Sequence, residues 1–210
     1  MKKRVAVFVS GGGTNLQTLL DAQSSGLLQS GEIALVISSK AGAYALERAA
    51  KAGVPAFAVP RRGMRLEEFE ARTLELLEEY QIDYMVTAGF LTILSEGFIG
   101  RFPNRIINVH PALLPAFGGK GFYGLRVHEA ALERGVKLTG ATVHFVNEIC
   151  DGGPIIAQQA VEVLPGDTPE SLQQRVMERA EWVLLPRALE MVCAGEARES
   201  FAGGHRGKED

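Results

Sequence analysis

The stretch that decides the fold is VAVFVSGGGTNLQTLLDAQSSG, residues 5–26. It opens with a continuous apolar, valine-rich run, which is typical of a parallel strand buried on both faces of a sheet. A glycine turn follows, and the next segment has helical spacing and stops at Gly26. A strand, a tight turn and a helix in this order predict an α/β unit.

The same alternation of strands and helices continues along the chain. Further strand-like runs occupy residues 32–39, 56–60, 84–90 and 105–111. Residues 139–146 and 154–163 predict an antiparallel pair at the far end of the sheet. The predicted fold class is α/β: a doubly wound, mostly parallel, Rossmann-like sheet with an antiparallel C-terminal strand pair.

The chain shows no repeats and no internal linker, so we expect a single domain over residues 1–197 and a flexible tail over residues 198–210. The last long helical segment begins at Thr168, a suitable N-cap that is followed by a proline in the first turn. We expect Pro186 to kink or interrupt this helix, because proline removes a backbone donor and crowds the preceding turn.

Composition excludes several classes of protein. Charged residues make up 22% of the 210-residue chain, apolar residues make up 46%, and the formal net charge is −3. These values are ordinary for a soluble globular protein and argue against a chain that coats nucleic acid or an anionic membrane. No apolar run is long enough for a membrane span, and the first one is too short for a signal peptide. Cys150 and Cys193 lack metal-ligand spacing, so we expect reduced thiols, a cytoplasmic protein and no metal site.

The glycine turn SGGGTN, residues 10–15, is the first candidate site. Successive backbone N–H groups at a helix N-terminus favour a phosphate group. The turn lacks the phosphate-loop motif GxxxxGK[ST], and Leu16 stands where a dinucleotide fingerprint has its third glycine. Two interpretations stay open: a monophosphate site, or a tight turn that only lets the helix pack closely.

The strand RIINVHPALLP, residues 105–115, carries the second candidate site. Asn108 and His110 are two residues apart, so their side chains share one face near the carboxyl end of the strand. Ligands of open α/β sheets bind at that end. An amide donor beside an imidazole suits stabilisation of an oxyanion and general acid–base catalysis. The alternative is a buried polar pair that bonds to neighbouring backbone.

Asp151, in the glycine turn CDGGP of residues 150–154, is the third candidate. An aspartate in such a turn commonly bonds its own backbone. If it instead shares a cleft with His110, its carboxylate should raise the pKa of the histidine and favour the imidazolium. His144 is interpreted as a histidine satisfied within the sheet, and His128 has no visible partner.

Five motifs in this order and spacing together resemble the folate-dependent formyltransferase family. The resemblance covers roughly residues 4–195, and the combination is far more specific than SGGGTN alone. The motifs are VFVSGGGTNLQ (7–17), TAGFLTILS (87–95), INVHPALLPAF (107–117), TGATVHFVNEICDGGPIIAQ (139–158) and ERAEWVLLP (178–186).

The resemblance implies an activity and a catalytic trio. A formyl group would pass from 10-formyltetrahydrofolate, the co-substrate, to the amine of a glycinamide ribonucleotide in purine synthesis. Asn108 and a protonated His110 would stabilise the oxyanion. Asp151 would keep the imidazolium charged and help to move a proton.

The resemblance also implies binding residues, with the phosphate and nucleotide on the N-terminal half and the folate mainly on the C-terminal half. The ribonucleotide would contact Gly13, Thr14 and Asn15 through its phosphate, and Asn108 and Glu181 through the remainder. The folate-binding residues that it implies are Arg65, Leu91, Thr92, Ile93, Leu94, Asn147, Glu148, Ile149, Cys150 and Asp151.

Two features depart from the family pattern. Thr92 stands where the familiar motif AGFMRIL has a basic residue, and the loop around residues 116–130 is long and rich in glycine. Lys120 and Arg126 lie in this loop, and we expect neither to be essential.

Three alternative functions share part of this pattern. A tRNA-acting member of the family would require an additional C-terminal RNA-binding domain and a basic surface. A hydrolase member normally carries an extra N-terminal domain. We expect neither of these two functions here. A non-catalytic nucleotide-binding module would use the glycine turn alone. The expected partners are therefore small-molecule substrates, without nucleic acid or membrane, and the expected assembly is a monomer or homodimer.

Overall fold

The computed structural model describes residues 1–197, so the predicted tail, residues 198–210, lies outside the described part. Within residues 1–197 seven strands form one sheet. They are β1 (Lys3–Val9), β2 (Gly31–Ser38), β3 (Ala56–Ala58), β4 (Tyr84–Thr87), β5 (Ile106–His110), β6 (Leu138–Phe145) and β7 (Ile155–Glu162). The helices are α1 (Thr14–Ser25), α2 (Tyr44–Lys51), α3 (Leu66–Glu79), α4 (Glu96–Ile99), α5 (Leu125–Arg134), α6 (Pro169–Val176), a π-helical turn (Met177–Glu181) and α7 (Trp182–Ala194).

The strands lie in the order β3-β2-β1-β4-β5-β6-β7. Strands β1 to β5 are all parallel to one another. Strand β6 is antiparallel to β5, and β7 is antiparallel to β6. The predicted doubly wound, mostly parallel sheet with an antiparallel C-terminal pair is therefore confirmed. The chain reverses its direction of winding between β1 and β4, and open α/β sheets bind their ligands at the carboxyl ends of such strands.

The central strands are apolar on both faces because both faces are covered. In β1, Val7 packs into the layer that contains α1 and α7, whereas Phe8 packs into the layer that contains Phe69 of α3. Successive side chains of a strand point to opposite faces, so one valine-rich run serves two cores. On β5 the same alternation turns Ile107 toward the first layer and leaves Asn108 and His110 on the other face.

The C-terminal helical region is interrupted, but not at the proline itself. Thr168 caps α6 as predicted, accepting a hydrogen bond from the N–H of Ser171. Pro186 lies inside α7, and the irregularity is the π-helical turn Met177–Glu181 just before that helix. The proline ring crowds the carbonyl group four residues earlier, at Trp182, which is where the wider turn gives way to α7.

No helix within residues 1–197 is both long enough and apolar enough to cross a lipid bilayer.

Candidate active site

The glycine loop between β1 and α1 has the geometry of an anion-binding nest. The carbonyl oxygens of residues 11–13 accept hydrogen bonds at 2.8 to 3.2 Å from the N–H groups of Ala45 and Gln17 and from Nε of Arg48. The N–H groups of the same three glycines have no acceptor among the described residues. Free N–H groups at the start of a helix attract an anion, so the loop retains the donors that a phosphate group needs.

Gly13 is a glycine for two separate reasons. Its φ of 72° lies in the left-handed region, and a Cβ atom there would come within 2.6 Å of the Cβ of Ala45 on α2. The close approach lets α2 pack against the loop and hold its shape. Thr14, the next predicted phosphate residue, is exposed at the first position of α1, where its N–H has no partner in the helix.

Asn15 and Glu181, which the resemblance assigns to the ribonucleotide, are in contact. Nδ2 of Asn15 donates to Oε2 of Glu181 at 2.8 Å, and both side chains are buried. Burial raises the pKa of the Glu181 carboxyl, against the lowering effect of the hydrogen bond from Asn15. The side-chain amide of Asn15 is therefore engaged by Glu181, and its Oδ1 has no partner among residues 1–197.

Asn108 and His110 share one face of β5, as their spacing predicts. The antiparallel register places His144 of β6 opposite Asn108, and Thr142 opposite His110. Oγ1 of Thr87, on β4, donates to Oδ1 of Asn108 at 2.8 Å, and Nδ2 of Asn108 lies 3.1 Å from Nε2 of His144. Asn108 is thus held from both sides, by one residue of each neighbouring strand.

Asp151 joins this group by a long return of the chain. The hairpin loop leaves β6 beside Ile107, at the amino half of β5, and folds back until Oδ2 of Asp151 lies 3.5 Å from Nδ1 of His110. Oδ1 of Asp151 lies 3.7 Å from Nε2 of His144. A Cβ atom on Gly153 would lie 1.8 Å from the carbonyl oxygen of Phe145, so only glycine allows the return. Asp151 therefore shares a cleft with His110 and accepts from the N–H of Gly119, which contradicts the alternative of an aspartate that bonds only the backbone of its own turn.

Asp151 raises the pKa of His110, as predicted, but the net shift of that pKa is downward. Burial lowers the pKa of His110 below its ordinary value of 6.5, and the opposing effect of Asp151 is smaller. Nε2 lies 2.8 Å from the carbonyl oxygen of Phe117 and therefore carries a proton, and Nδ1 is the ring nitrogen that faces Asp151. For Asp151, burial acts to raise the pKa, but His144, His110 and the N–H of Gly119 together bring it below its usual range.

His144 contacts Asn108 and Asp151, a contact that the sequence analysis did not predict. Its Nδ1 lies 2.9 Å from the carbonyl oxygen of Phe145 and therefore carries a proton, whereas its Nε2 lies 3.1 Å from Nδ2 of Asn108 and 3.7 Å from Oδ1 of Asp151. The ring is satisfied, as interpreted, but its partner is the candidate oxyanion donor. Thr142 and His144 are polar residues two apart in an apolar strand, which is the same signal that identified Asn108 and His110.

The segment that follows His110 is held by the neighbouring strands. Oγ1 of Thr142 accepts from the N–H of Leu114 at 3.0 Å and donates to the carbonyl oxygen of Ala112 at 2.6 Å. Nε2 of Gln158, on β7, donates to the carbonyl oxygen of Leu114 at 2.9 Å. These contacts fix the exit of β5 and hence the position of the imidazole.

The predicted folate-binding loops expose apolar side chains. Leu91, Ile93 and Ile149 are 60%, 68% and 62% exposed, whereas Leu94 is buried. The N–H of Leu91 donates to Oγ of Ser10 at 3.0 Å, which ties the loop after β4 to the glycine loop. Among the other residues of this predicted set, Thr92 and Asn147 are half-buried, and Glu148 and Cys150 are exposed.

Among the described residues, Arg65 makes its side-chain ion pair with Glu68 and not with the predicted catalytic residues. It precedes α3 at the surface, where its Nε donates to Oε1 of Glu68 at 2.9 Å, and its side chain is 76% exposed. Residues 1–197 contain no group of three or more histidine, cysteine, aspartate or glutamate side chains that could hold a metal ion.

Fold and site together define an α/β protein with a glycine loop of free N–H groups after β1, and with Asn108 and His110 on β5 beside Asp151 of the β6–β7 loop. The sequence model of the formyl transferase family matches residues 3–189. The chain therefore belongs to the formyl transferase family.

Relatives within this family carry more specific names. The chain is 43% identical to glycinamide ribonucleotide transformylase 1 from Symbiobacterium toebii, whose crystal structure superposes with a TM-score of 0.85 over 92% of this chain and 89% of that one. It is 41% identical, over 84% of its length, to the chloroplastic phosphoribosylglycinamide formyltransferase of Arabidopsis thaliana. It is 43% identical, over 92% of its length, to the human trifunctional purine biosynthetic protein adenosine-3. The chain spans 61% of the Arabidopsis protein and 19% of the human one.

Proposed function

We propose that the protein transfers the formyl group of 10-formyltetrahydrofolate to the amine of N1-(5-phospho-D-ribosyl)glycinamide, a step of purine biosynthesis. The observation that carries the proposal is that Asn108 and His110 share one face of β5, with Asp151 3.5 Å from His110, while the free N–H groups of the glycine loop follow β1 at the same edge of the sheet. The names of the relatives supply the acceptor and place the step in purine synthesis.

The two substrates would meet over the face of β5. The phosphate group would sit on the free N–H groups of the glycine loop, and Glu181 would accept hydrogen bonds from the ribose or glycinamide portion. The exposed side chains of Leu91, Ile93 and Ile149 would cover the pterin ring. Much of the acceleration would come from holding the amine and the formyl carbon in register.

The amine nitrogen would attack the formyl carbon and generate a tetrahedral oxyanion. Nδ2 of Asn108, oriented by Thr87 and His144, supplies a fixed donor for that charge. His110 is neutral at the outset, so it would take up the amine proton as the intermediate forms, and Asp151 would stabilise the resulting imidazolium. The proton then passes to N10 of the folate as the carbon–nitrogen bond breaks.

Formyl transfer itself tests the proposal. Purified protein is mixed with 10-formyltetrahydrofolate and glycinamide ribonucleotide, and loss of the formyl group from the folate is followed with and without the acceptor. We expect acceptor-dependent loss, which His110→Ala reduces by about 10²- to 10⁴-fold. Loss without acceptor would identify a hydrolase, and absence of loss in both mixtures would contradict the proposed reaction.

The proposal includes small-molecule substrates only, no resident metal, and the cytoplasm as compartment. One observation supports the compartment: Cys150 and Cys193 are both free thiols, and reduced thiols are typical of cytosolic proteins.

A further inference from the structure

A single buried hydroxyl group joins the glycine loop to the loop that follows β4. Ser10 is the first residue of the glycine loop, and its Oγ accepts a hydrogen bond at 3.0 Å from the N–H of Leu91. Oγ of Ser39, a second buried serine directly after β2, lies 2.7 Å from the same atom. The glycine loop is the predicted phosphate site and the loop after β4 is part of the predicted folate site. Ser10 therefore connects the loops that are assigned to the two substrates.

The loop after β4 has few other hydrogen bonds along its main chain. At its start, the N–H of Ala88 donates to the carbonyl oxygen of Phe8 at 2.9 Å. At its end, the N–H of Ser95 donates to the buried carboxylate of Glu70 at 2.6 Å. Between these points, in residues 89–94, the N–H of Leu91 is the only main-chain group with a hydrogen-bond partner among residues 1–197. The path of this segment therefore depends on the Ser10 hydroxyl.

The same loop is linked to the candidate oxyanion donor. It begins directly after Thr87, whose Oγ1 donates to Oδ1 of Asn108 at 2.8 Å. The ring of Phe90 packs against aromatic rings of β1 and α3 and anchors the residue before Leu91. The main-chain groups of residues 92–94, which follow, are unbonded within residues 1–197 and are available to a polar heterocycle. Fixing Leu91 thus sets where these free groups lie relative to Asn108.

We propose that Ser10 is a positioning residue for the formyl donor: its hydroxyl group fixes Leu91 and thereby holds the folate loop at a set distance from the glycine loop. The inference rests on the proposed function for the identity of the donor, 10-formyltetrahydrofolate. Ser10 acts on the donor only through Leu91. Because the formyl carbon and the amine must be held in register, a contact that sets the spacing of the two loops contributes to productive binding of the donor.

Steady-state kinetics of a matched pair of variants tests the inference. Ser10→Ala removes the acceptor for the N–H of Leu91, whereas Ser39→Ala removes the other hydroxyl of the same buried pair and leaves that acceptor in place. In Ser10→Ala we expect the KM for 10-formyltetrahydrofolate to rise by about fivefold to tenfold, the effect of one lost hydrogen bond. The KM for glycinamide ribonucleotide should stay within about twofold, because the N–H groups of the glycine loop are unchanged. In Ser39→Ala both KM values should stay within about twofold of those of the wild type.

The split between the two KM values separates positioning from a merely structural role. Both variants lose the hydrogen bond between the two serines, so the free energy of unfolding in urea should fall in both. A structural loss alone would lower the fraction of active enzyme, and hence the apparent kcat, without changing either KM. If Ser10→Ala does not fold, Ser10→Cys gives the same test, because a thiol fills similar space and is only a weak acceptor.

Amide hydrogen exchange of Leu91 supplies a measurement that needs no substrate. In Ser10→Ala the N–H of Leu91 has lost its acceptor, so it should exchange about tenfold faster than in the wild type. In Ser39→Ala its exchange rate should stay within about twofold of the wild-type rate, because Oγ of Ser10 still accepts this bond.

Three results would overturn the inference: an unchanged KM for the folate in Ser10→Ala, an equal rise of both KM values in that variant, or the same rise of the folate KM in Ser39→Ala. Failure of the proposed function is a separate outcome. In that case calorimetric titration would show that the wild type binds 10-formyltetrahydrofolate and that Ser10→Ala weakens this binding, and yet the wild type would transfer no formyl group to glycinamide ribonucleotide.

Discussion

The two ends of the sheet both carry buried or half-buried polar groups, but they use them differently. At the amino end, a cavity of about 260 Å³ is lined by Lys3, Asp83, Tyr84, Arg105 and the end of α7. Its polar groups are paired: Arg105 donates to the carbonyl oxygens of Ile82 and Asp83, and Asp83 accepts from the N–H of Arg4. Burial raises the pKa of the nearby Cys193 thiol to about 12, so it is not a nucleophile.

The carboxyl end, which carries the candidate site, has less complete pairing of its polar groups. His110 and Asp151 face each other at 3.5 Å, which is longer than a hydrogen bond, and the nest keeps its N–H groups free. The difference teaches that a cavity alone does not identify the functional site of this protein. Polar groups that the fold holds close together but leaves partly unbonded are the ones available to substrates.

The largest expected effect is a difference in kcat between substitutions of two aspartates, Asp151 at the carboxyl end of the sheet and Asp83 at the amino end. Asp151→Asn should lower kcat by about 10²- to 10⁴-fold, because the couple that carries the proton is lost while the acceptor oxygen for the N–H of Gly119 is retained. Asp83→Asn should leave kcat within about twofold and lower the free energy of unfolding by less than about 1 kcal/mol. Formyl-transfer rates and urea unfolding of both variants measure this, and equal losses of kcat would contradict the division of roles.

Substitution of one glycine at each end of the sheet compares how the backbone tolerates an added Cβ atom. Gly153→Ala would place a Cβ atom 1.8 Å from the carbonyl oxygen of Phe145, whereas Gly31→Ala at the amino end would place one 2.8 Å from the movable Sγ of Cys193. We expect Gly153→Ala to lower the free energy of unfolding by about 3 kcal/mol and Gly31→Ala by about 1 kcal/mol. Only Gly153→Ala should also lower kcat, because it displaces the turn that carries Asp151. Unchanged kcat in folded Gly153→Ala would show that the turn tolerates the shift.

Acid should destabilise the protein through His128. This residue is fully buried on α5, and neither ring nitrogen has a hydrogen-bond partner among residues 1–197. Burial lowers its pKa from 6.5 to about 4, so only the unfolded chain takes up this proton between those values. Stability is complete above pH 6.5, falls as the pH decreases to 4, and loses about 3 kcal/mol over that interval. In His128→Leu the unfolding free energy should depend less steeply on pH over this range; an unchanged slope would assign the acid sensitivity elsewhere.

The smallest effect concerns the charge of His110. Because burial lowers its pKa, the ring should titrate below 6.5 in an NMR titration of the wild type. Asp151→Asn removes a charge that favours the imidazolium, so the pKa should fall further, whereas Asp83→Asn at the other end should not move it. A His110 titration unaffected by Asp151→Asn would separate the two residues of the couple.

The sequence alone determined the elements, the fold class and the faces of the strands. The valine-rich run of β1 indicates burial on both faces, and the two-residue spacing of Asn108 and His110 places both on one face of β5, because the side-chain period of a strand is two. The glycine turn before α1 predicted the nest, since a helix N-terminus leaves its N–H groups unpaired. These are local properties, set by residues that are neighbours in the chain.

Only the tertiary structure decided which distant residues meet and what charge they carry. Asp151 reaches His110 through a loop that folds back across the sheet, and His144 orients Asn108 because of the register between β5 and β6. Asn15 meets Glu181 because the fold brings α1 beside the π-helical turn. The pKa of His110 follows burial by the whole surrounding structure, which outweighs the single nearby carboxylate. Register, loop return and burial depend on the packing of many residues, and no local pattern encodes them.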